Sequence, residues 1–196
     1  MPAAKKRVGV LALQGDFDAH RKALERAGAE AIEVRTAEEL DSVDGLVIPG
    51  GESTTMLKLL NYMDLMKPLA EFARTRSVFG TCAGAILLAK EVANPSQESF
   101  GVMDLTVERN AYGRQIDSRV ATIEPEGEFA ERSGSGDLEA VFIRAPIIRR
   151  TGPGVKVLAE YGGDPVLVEE GRHLVATFHP ELTQDSRVHK LFLSKL

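Results

Sequence analysis

The chain has a single cysteine in 196 residues, so Cys82 has no partner for an internal disulfide. A reducing cytoplasm is the natural compartment for such a chain. One cysteine and four scattered histidines do not make a metal-ligand set, and no metal is implied. Long apolar runs are also missing, since no stretch approaches the roughly 18 residues of a membrane span. Lys5-Lys6-Arg7 and the apolar residues 8–13 could be mistaken for a signal peptide, but the run is short and enters Gln14-Gly15-Asp16 without a small-residue cleavage site. Nor is there an excess of basic charge. The net charge of −5 argues against nucleic acid or an anionic membrane as the main partner. There is no internal repeat and no low-complexity tract.

What is present is ordinary for a soluble globular protein, with 43% apolar and 27% charged residues. The length predicts one domain spanning residues 1–196 with room for a sizeable core. Apolar runs at 8–13, 31–34, 46–48 and 78–79 read as buried strands. Between them, 17–27, 54–60 and 66–74 read as amphipathic helices, and 83–92 as a further helix. On the helix ending at Gly28, Phe17, His20, Leu24 and Ala27 share one face. This alternation predicts an α/β fold: an open, mostly parallel sheet with helices on both faces. In the second half, short β-like runs at 102–107, 119–123, 140–143, 155–161, 166–168 and 174–178 predict antiparallel or mixed strands flanking the parallel core. Residues 131–137, polar and glycine-rich, read as a mobile surface loop, and 186–196 as a closing helix with Val188, Leu191 and Phe192 inward.

The chemistry centres on Gly80-Thr81-Cys82-Ala83-Gly84. A lone cysteine is often just a small buried hydrophobe. Here it lies between two glycines, with a strand before it and a helix after, which is the layout of a nucleophile elbow. The corner also sets the thiol at the positive end of the following helix. Among the histidines, His20 and His189 lie in helices and read as partly exposed side chains, and His173 reads as part of a turn. His179 stands where the run 174–178 ends, followed by Pro180 and Glu181. The proline fixes a turn through which Glu181 can reach back to orient the imidazole, giving nucleophile, base and orienting carboxylate. Backbone N–H groups at Gly50-Gly51 and at Ala83 are candidate oxyanion donors. The same Gly-Gly turn would also serve as a plain strand-to-helix connection.

These residues match a known pattern. Gly80-Thr81-Cys82-Ala83-Gly84 with Phe178-His179-Pro180-Glu181-Leu182-Thr183 resembles the class I glutamine amidotransferases. Four further motifs narrow the resemblance to the glutaminase subunits of pyridoxal 5'-phosphate synthases: Ala12-Leu13-Gln14-Gly15, Pro49-Gly50-Gly51-Glu52-Ser53-Thr54, Glu108-Arg109-Asn110-Ala111-Tyr112-Gly113-Arg114-Gln115 and Phe142-Ile143-Arg144-Ala145-Pro146. The resemblance implies hydrolysis of L-glutamine to glutamate and ammonia by Cys82, His179 and Glu181, with oxyanion donors at Gly51 and Ala83. It implies substrate contacts from Gly51, Glu52, Ser53, Arg109, Ile143 and Arg144, and no cofactor. It also implies a partner, a separate synthase subunit in a complex of twelve synthase and twelve glutaminase chains, with Gln14 near the docking side. By contrast, Arg149 and Arg150 read as surface ion-pair residues. The basic extension 1–7 and residues 131–137 match no family motif. Two other readings stand beside this one. The first is a glutaminase serving a different nitrogen acceptor, such as imidazole glycerol phosphate, against which the Arg109 and Arg144 motifs weigh. The second is a non-enzymatic DJ-1-like redox sensor, which would leave His179-Pro180-Glu181 without a purpose.

Overall fold

A computed structural model of the chain describes residues 4–111 and 118–196. Residues 1–3 of the basic extension, and Tyr112, Gly113, Arg114 and Gln115 of the Arg109 motif, lie outside the described residues. The first half follows the apolar pattern: β1 (Arg7–Leu11), α1 (Phe17–Ala27), β2 (Glu30–Val34), α2 (Ala37–Asp41), β3 (Gly45–Ile48), α3 (Ser53–Tyr62), α4 (Met66–Thr75) and β4 (Ser77–Thr81). α1 ends at Gly28, whose φ of 101° is a left-handed C-cap that glycine adopts without a Cβ clash. α2 was not anticipated, although Thr36 and Glu39 form a reciprocal capping box at its start.

Past the cysteine come α5 (Ala83–Leu88), β5 (Ala89–Ala93), β6 (Met103–Glu108), β7 (Ser118–Ile123), α6 (Gly127–Ser133), β8 (Leu138–Ile143) and β9 (Ile147–Thr151). β10 (Lys156–Tyr161), β11 (Asp164–Glu170), β12 (His173–Ala176), a 3-10 turn at Pro180–Leu182 and α7 (Arg187–Leu193) complete the chain. The helix expected over 83–92 is therefore corrected: it stops at Leu88 and the chain continues as β5. A register shift between Ala89 and Glu91 leaves Ala89 and Val92 buried three residues apart, so this bulged strand carries a helical spacing. Residues 131–137 are corrected in part, since 134–137 are an exposed loop as expected. Glu131, Arg132 and Ser133 belong to α6, and the Arg187 guanidinium donates to the carbonyls of Gly134, Ser135, Gly136 and Asp137 at 2.8–3.2 Å.

Among the described residues a seven-stranded sheet runs in the order β10-β11-β12-β4-β3-β1-β2. β12, β4, β3, β1 and β2 are parallel, and β11 and β10 extend that edge antiparallel. β12, read from sequence with the flanking strands, thus belongs to the parallel core. β5, β6 and β9 form a small mixed sheet, and β7 pairs antiparallel with β8. Strand side chains alternate between two cores, as the pleat requires. Val8, Val10, Val47, Phe79 and Leu174 pack with Leu24 of α1, Phe129 of α6 and Phe192 of α7. Leu46, Ile48, Val78 and Val175 pack on the opposite face with Leu40, Met56, Leu60, Leu69 and Leu87. Each such fully buried side chain contributes about 1.5–3 kcal/mol relative to exposure, which holds the strand ends in fixed positions.

Candidate active site

Three adjacent parallel strands end side by side, and each delivers a group of interest: β3 leads to Gly50-Gly51, β4 to Cys82, and β12 to His179. The carboxyl edge of an open α/β sheet is where such folds gather ligands. Cys82 sits at φ 50° and ψ −107°, a conformation that costs a non-glycine residue about 1–3 kcal/mol. Its N–H donates to the Ala176 carbonyl at 3.0 Å, tying the corner to β12. The flanking glycines are steric necessities. A Cβ on Gly84 would lie 2.1 Å from the Ile48 carbonyl oxygen, and one on Gly80 would lie 2.5 Å from that of Gly84. The G-x-C-x-G spacing is what allows β4 to turn abruptly into α5 and present the sulfur.

His179 and Glu181 are both buried, with Nδ1 of the imidazole 2.6 Å from Oε1 of the carboxylate. Pro180 opens the 3-10 turn that brings Glu181 back toward the ring, and the His179 N–H is anchored on the Val141 carbonyl at 2.8 Å. Burial alone would depress the imidazole. The neighbouring Cys82 sulfur and the hydrogen bond and charge of Glu181 outweigh it and raise His179 to about 10. Gly50 lies between the two reactive side chains: a Cβ there would be 2.6 Å from His179 Cε1 and 3.0 Å from Cys82 Cβ. The base and the thiol therefore converge across a position that only glycine can occupy.

A cavity of about 270 Å³ opens at this point. It is smaller than the roughly 300–1,000 Å³ typical of drug-sized ligands and suits a single amino acid. Gly51, Glu52, Ser53, Cys82, Ala83, Arg109, Ile143, Arg144 and His179 all line it, together with Ile86, Asn110 and Pro146, which the sequence motifs had not marked as contacts. Arg109 donates from Nη2 to Thr54 Oγ1 at 2.9 Å, while its buried Nε has no partner among the described residues. A guanidinium lining a cavity is suited to an anion. Glu52 is engaged elsewhere, because its carboxylate caps α3 by accepting from the N–H groups of Thr54 and Thr55 at 3.0 and 2.6 Å. Partial burial opposes its charge, yet the bonds from Thr55 and Thr54 hold it down to about 2. Ser53 is buried and donates to Gln97 Oε1 at 2.9 Å. Arg144 is exposed and takes φ 44°, a strained turn directly after Ile143 at the mouth of the cavity. The Gln14 side chain packs on Gly51, with Oε1 accepting from the Glu52 N–H at 3.3 Å. Arg149 and Arg150 pair with Glu108 and Asp104 at 2.5 and 2.7 Å, as expected of surface residues. Among the described residues no three His, Cys, Asp or Glu side chains converge as a metal would require.

The family model for the SNO glutamine amidotransferase family matches residues 10–196. The chain belongs to the SNO glutamine amidotransferase family. Over 191 residues it is 68% identical to a protein of Solibacter usitatus named pyridoxal 5'-phosphate synthase subunit PdxT, a match covering 97% of this chain and 100% of that protein. A Koribacter versatilis protein of the same name is 57% identical over 95% of this chain and 94% of its own. A crystal structure described as a glutamine amidotransferase superposes with a TM-score of 0.85 at 49% identity, covering 96% of this chain and 97% of the other.

In this amidotransferase the remaining histidines depart from what the sequence predicted. His20 and His189, expected to be partly exposed, are both fully buried and meet with Nδ1 of His20 3.1 Å from Nε2 of His189. His173, expected in a turn, lies in β12, where its Nδ1 accepts from the Val78 N–H at 3.3 Å. Burial, with Arg172 next to it, brings His173 down to about 4. The signal for His20 was present in the sequence, since it shares the inward face of α1 with Leu24; hydrophobic periodicity carries no information about what a buried polar residue will meet.

Proposed function

We propose that this amidotransferase is the glutaminase subunit of a pyridoxal 5'-phosphate synthase, with residues 1–196 forming a single glutaminase domain. The observation that carries the reading is the convergence of Cys82, His179 and Glu181 beside a cavity walled by Arg109 and Arg144. The Cys82 sulfur attacks the carboxamide carbon of L-glutamine. The N–H groups of Gly51 and Ala83 receive the oxyanion; the latter is a first-turn amide that α5 leaves without an intrahelical acceptor. His179, held protonated at neutral pH, gives its proton to the departing ammonia, leaving a γ-glutamyl thioester. It then takes a proton from water, which attacks the thioester and releases glutamate. Glu181 orients the ring and stabilises its charged form.

Arg109 pairs with the substrate α-carboxylate, the backbone of Gly51-Glu52-Ser53 lies along the substrate, and Ile143-Arg144 closes over its amino-acid end. The names of the PdxT relatives support a synthase subunit as the consumer of the ammonia. We assign the complex twelve copies of each chain and place it in the cytoplasm. Among the described residues no helix is long and apolar enough to cross a membrane. Gln14, packed on Gly51, stands on the side where docking would adjust the oxyanion donors.

The test is glutamate release from L-glutamine by the purified chain, with and without the synthase subunit. Turnover that rises with the synthase and vanishes in Cys82→Ala is the expected result; its absence in a confirmed complex would overturn the reading. In the same assay Gln14→Ala lowers synthase-stimulated turnover, and unchanged stimulation removes the role given to Gln14.

A further inference from the structure

Behind the triad runs a buried polar chain that the mechanism above does not use. Glu181 turns Oε1 to His179, while its Oε2, buried and without a hydrogen-bond partner among the described residues, lies 3.3 Å from Nε2 of His20. The same His20 nitrogen is 3.0 Å from Thr81 Oγ1, and its Nδ1 is 3.1 Å from Nε2 of His189. His20, Thr81 and His189 have no exposed surface. They come from α1, β4 and α7, and they meet the 3-10 turn that carries Glu181.

The hydrogen positions follow from the partners. An ionised carboxylate can only accept. A bare ring nitrogen 3.3 Å from the buried, unpartnered Glu181 Oε2 would set two electron-rich atoms side by side, so Nε2 of His20 carries the hydrogen, which its hydrogen bond with Thr81 Oγ1 accommodates. Nδ1 of His20 then accepts from Nε2–H of His189. That leaves His189 Nδ1 as a lone pair, and this is the ring atom without a partner among the described residues. The reverse assignment would strand a buried N–H there, the rarer kind of orphan in folded proteins. Both rings are neutral. Burial first, then the neighbouring His189 and His179, push His20 well below its ordinary range, and burial, with Arg26, brings His189 down to about 3.

We propose that His20 is a positioning residue of the triad: its Nε2–H, hydrogen-bonded to Thr81 Oγ1 and set by His189, lies 3.3 Å from the second oxygen of Glu181, which has no hydrogen-bond partner of its own among the described residues, and by that charge contact biases the plane of the carboxylate that orients His179. The last torsion of a glutamate side chain is soft, and a carboxylate held at one oxygen only is free to swing. With the His20 hydrogen beside the second oxygen, the orientation that presents Oε1 to the imidazole is favoured. Thr81 directly precedes Cys82, so His20 also couples the carboxylate to the strand end that carries the nucleophile. The inference rests on the glutaminase reading of Cys82, His179 and Glu181. His20 does not line the cavity, so its loss acts on kcat and leaves glutamine binding alone.

Substitutions at position 20 that differ in where they place a donor test this in the complex with the synthase subunit. The amide nitrogen of His20→Gln falls near the original Nε2, facing Glu181; that of His20→Asn falls near Nδ1, facing His189. His20→Leu and His20→Asn lower kcat about three- to tenfold, the scale of an ordinary net polar interaction, with KM for glutamine unchanged. They also slow alkylation of Cys82 by iodoacetamide, and His20→Gln retains most of the wild-type kcat. The Asn and Gln pair keeps the comparison available where His20→Leu does not fold, and melting temperatures separate positioning from stability. Equal kcat in the Asn and Gln variants overturns the proposal, as does a rise in KM that accounts for the loss. A wild-type complex with no Cys82-dependent turnover would overturn the glutaminase reading instead.

Discussion

Arg109 shows how a single side chain can be read at both levels. Its motif marked it in the sequence, and the structure gives it a buried Nε with no partner among the described residues beside the nucleophile. A substrate carboxylate in the cavity is the group this guanidinium is suited to pair with. Arg109→Leu should therefore raise KM for glutamine about ten- to a hundredfold, the equivalent of about 1.5–3 kcal/mol for a charge-assisted hydrogen bond, with a smaller effect on kcat. Steady-state kinetics checks this, and an unchanged KM would remove Arg109 from the substrate site. The site was legible because its requirements are local. Gly80 and Gly84 must be small to let the chain turn at Cys82, and Glu181 follows His179 by two residues. His20 and His189 were not, because their partners lie across the fold: 169 residues separate the two rings.

At the scale of elements, the parallel core was readable wherever an apolar run alternated with an amphipathic helix, and α1 ends at Gly28 as its glycine signal predicts. Failures came where pairing overrode local pattern. Ala89 to Ala93 has helix-forming residues and a helical spacing, yet the ladder to β6 holds it extended. The segment after α6 is another case. Its glycines and Ser135 read as a mobile surface loop; it is an exposed loop, but Arg187 reaches from α7 to four consecutive carbonyls of it and is itself held by Asp185 at 2.7 Å. Arg187→Ala should cost about 0.5–1.5 kcal/mol, the net range for hydrogen bonds whose acceptors water can reach, and should open residues 134–137 to limited proteolysis. Cleavage there at the wild-type rate would show that the guanidinium does not organise the segment.

For the whole molecule, four histidines set opposing limits on stability. Unfolded, each takes up a proton near pH 6.5. Buried His173 and His189 stay neutral down to about 4 and about 3, and His20 is lowered in the same sense. Folding is therefore weakened as pH falls below about 6.5, by about 1.4 kcal/mol per pH unit for each ring. His179 acts in the opposite sense: raised to about 10, its contribution is complete below about 6.5 and is lost as pH rises toward about 10. Urea midpoints should thus pass through a maximum near neutrality and fall on both sides, and a flat profile between about pH 5 and 9 would contradict the assigned charges. The central claim, that Cys82 carries the glutamyl group of glutamine, has a direct test in acid-quenched turnover of the synthase complex followed by peptide mass spectrometry. The account predicts a γ-glutamyl thioester on the peptide containing Cys82, absent from Cys82→Ala, which releases no glutamate. Glutamate formed at the wild-type rate by Cys82→Ala, with no adduct on the wild-type peptide, would contradict it.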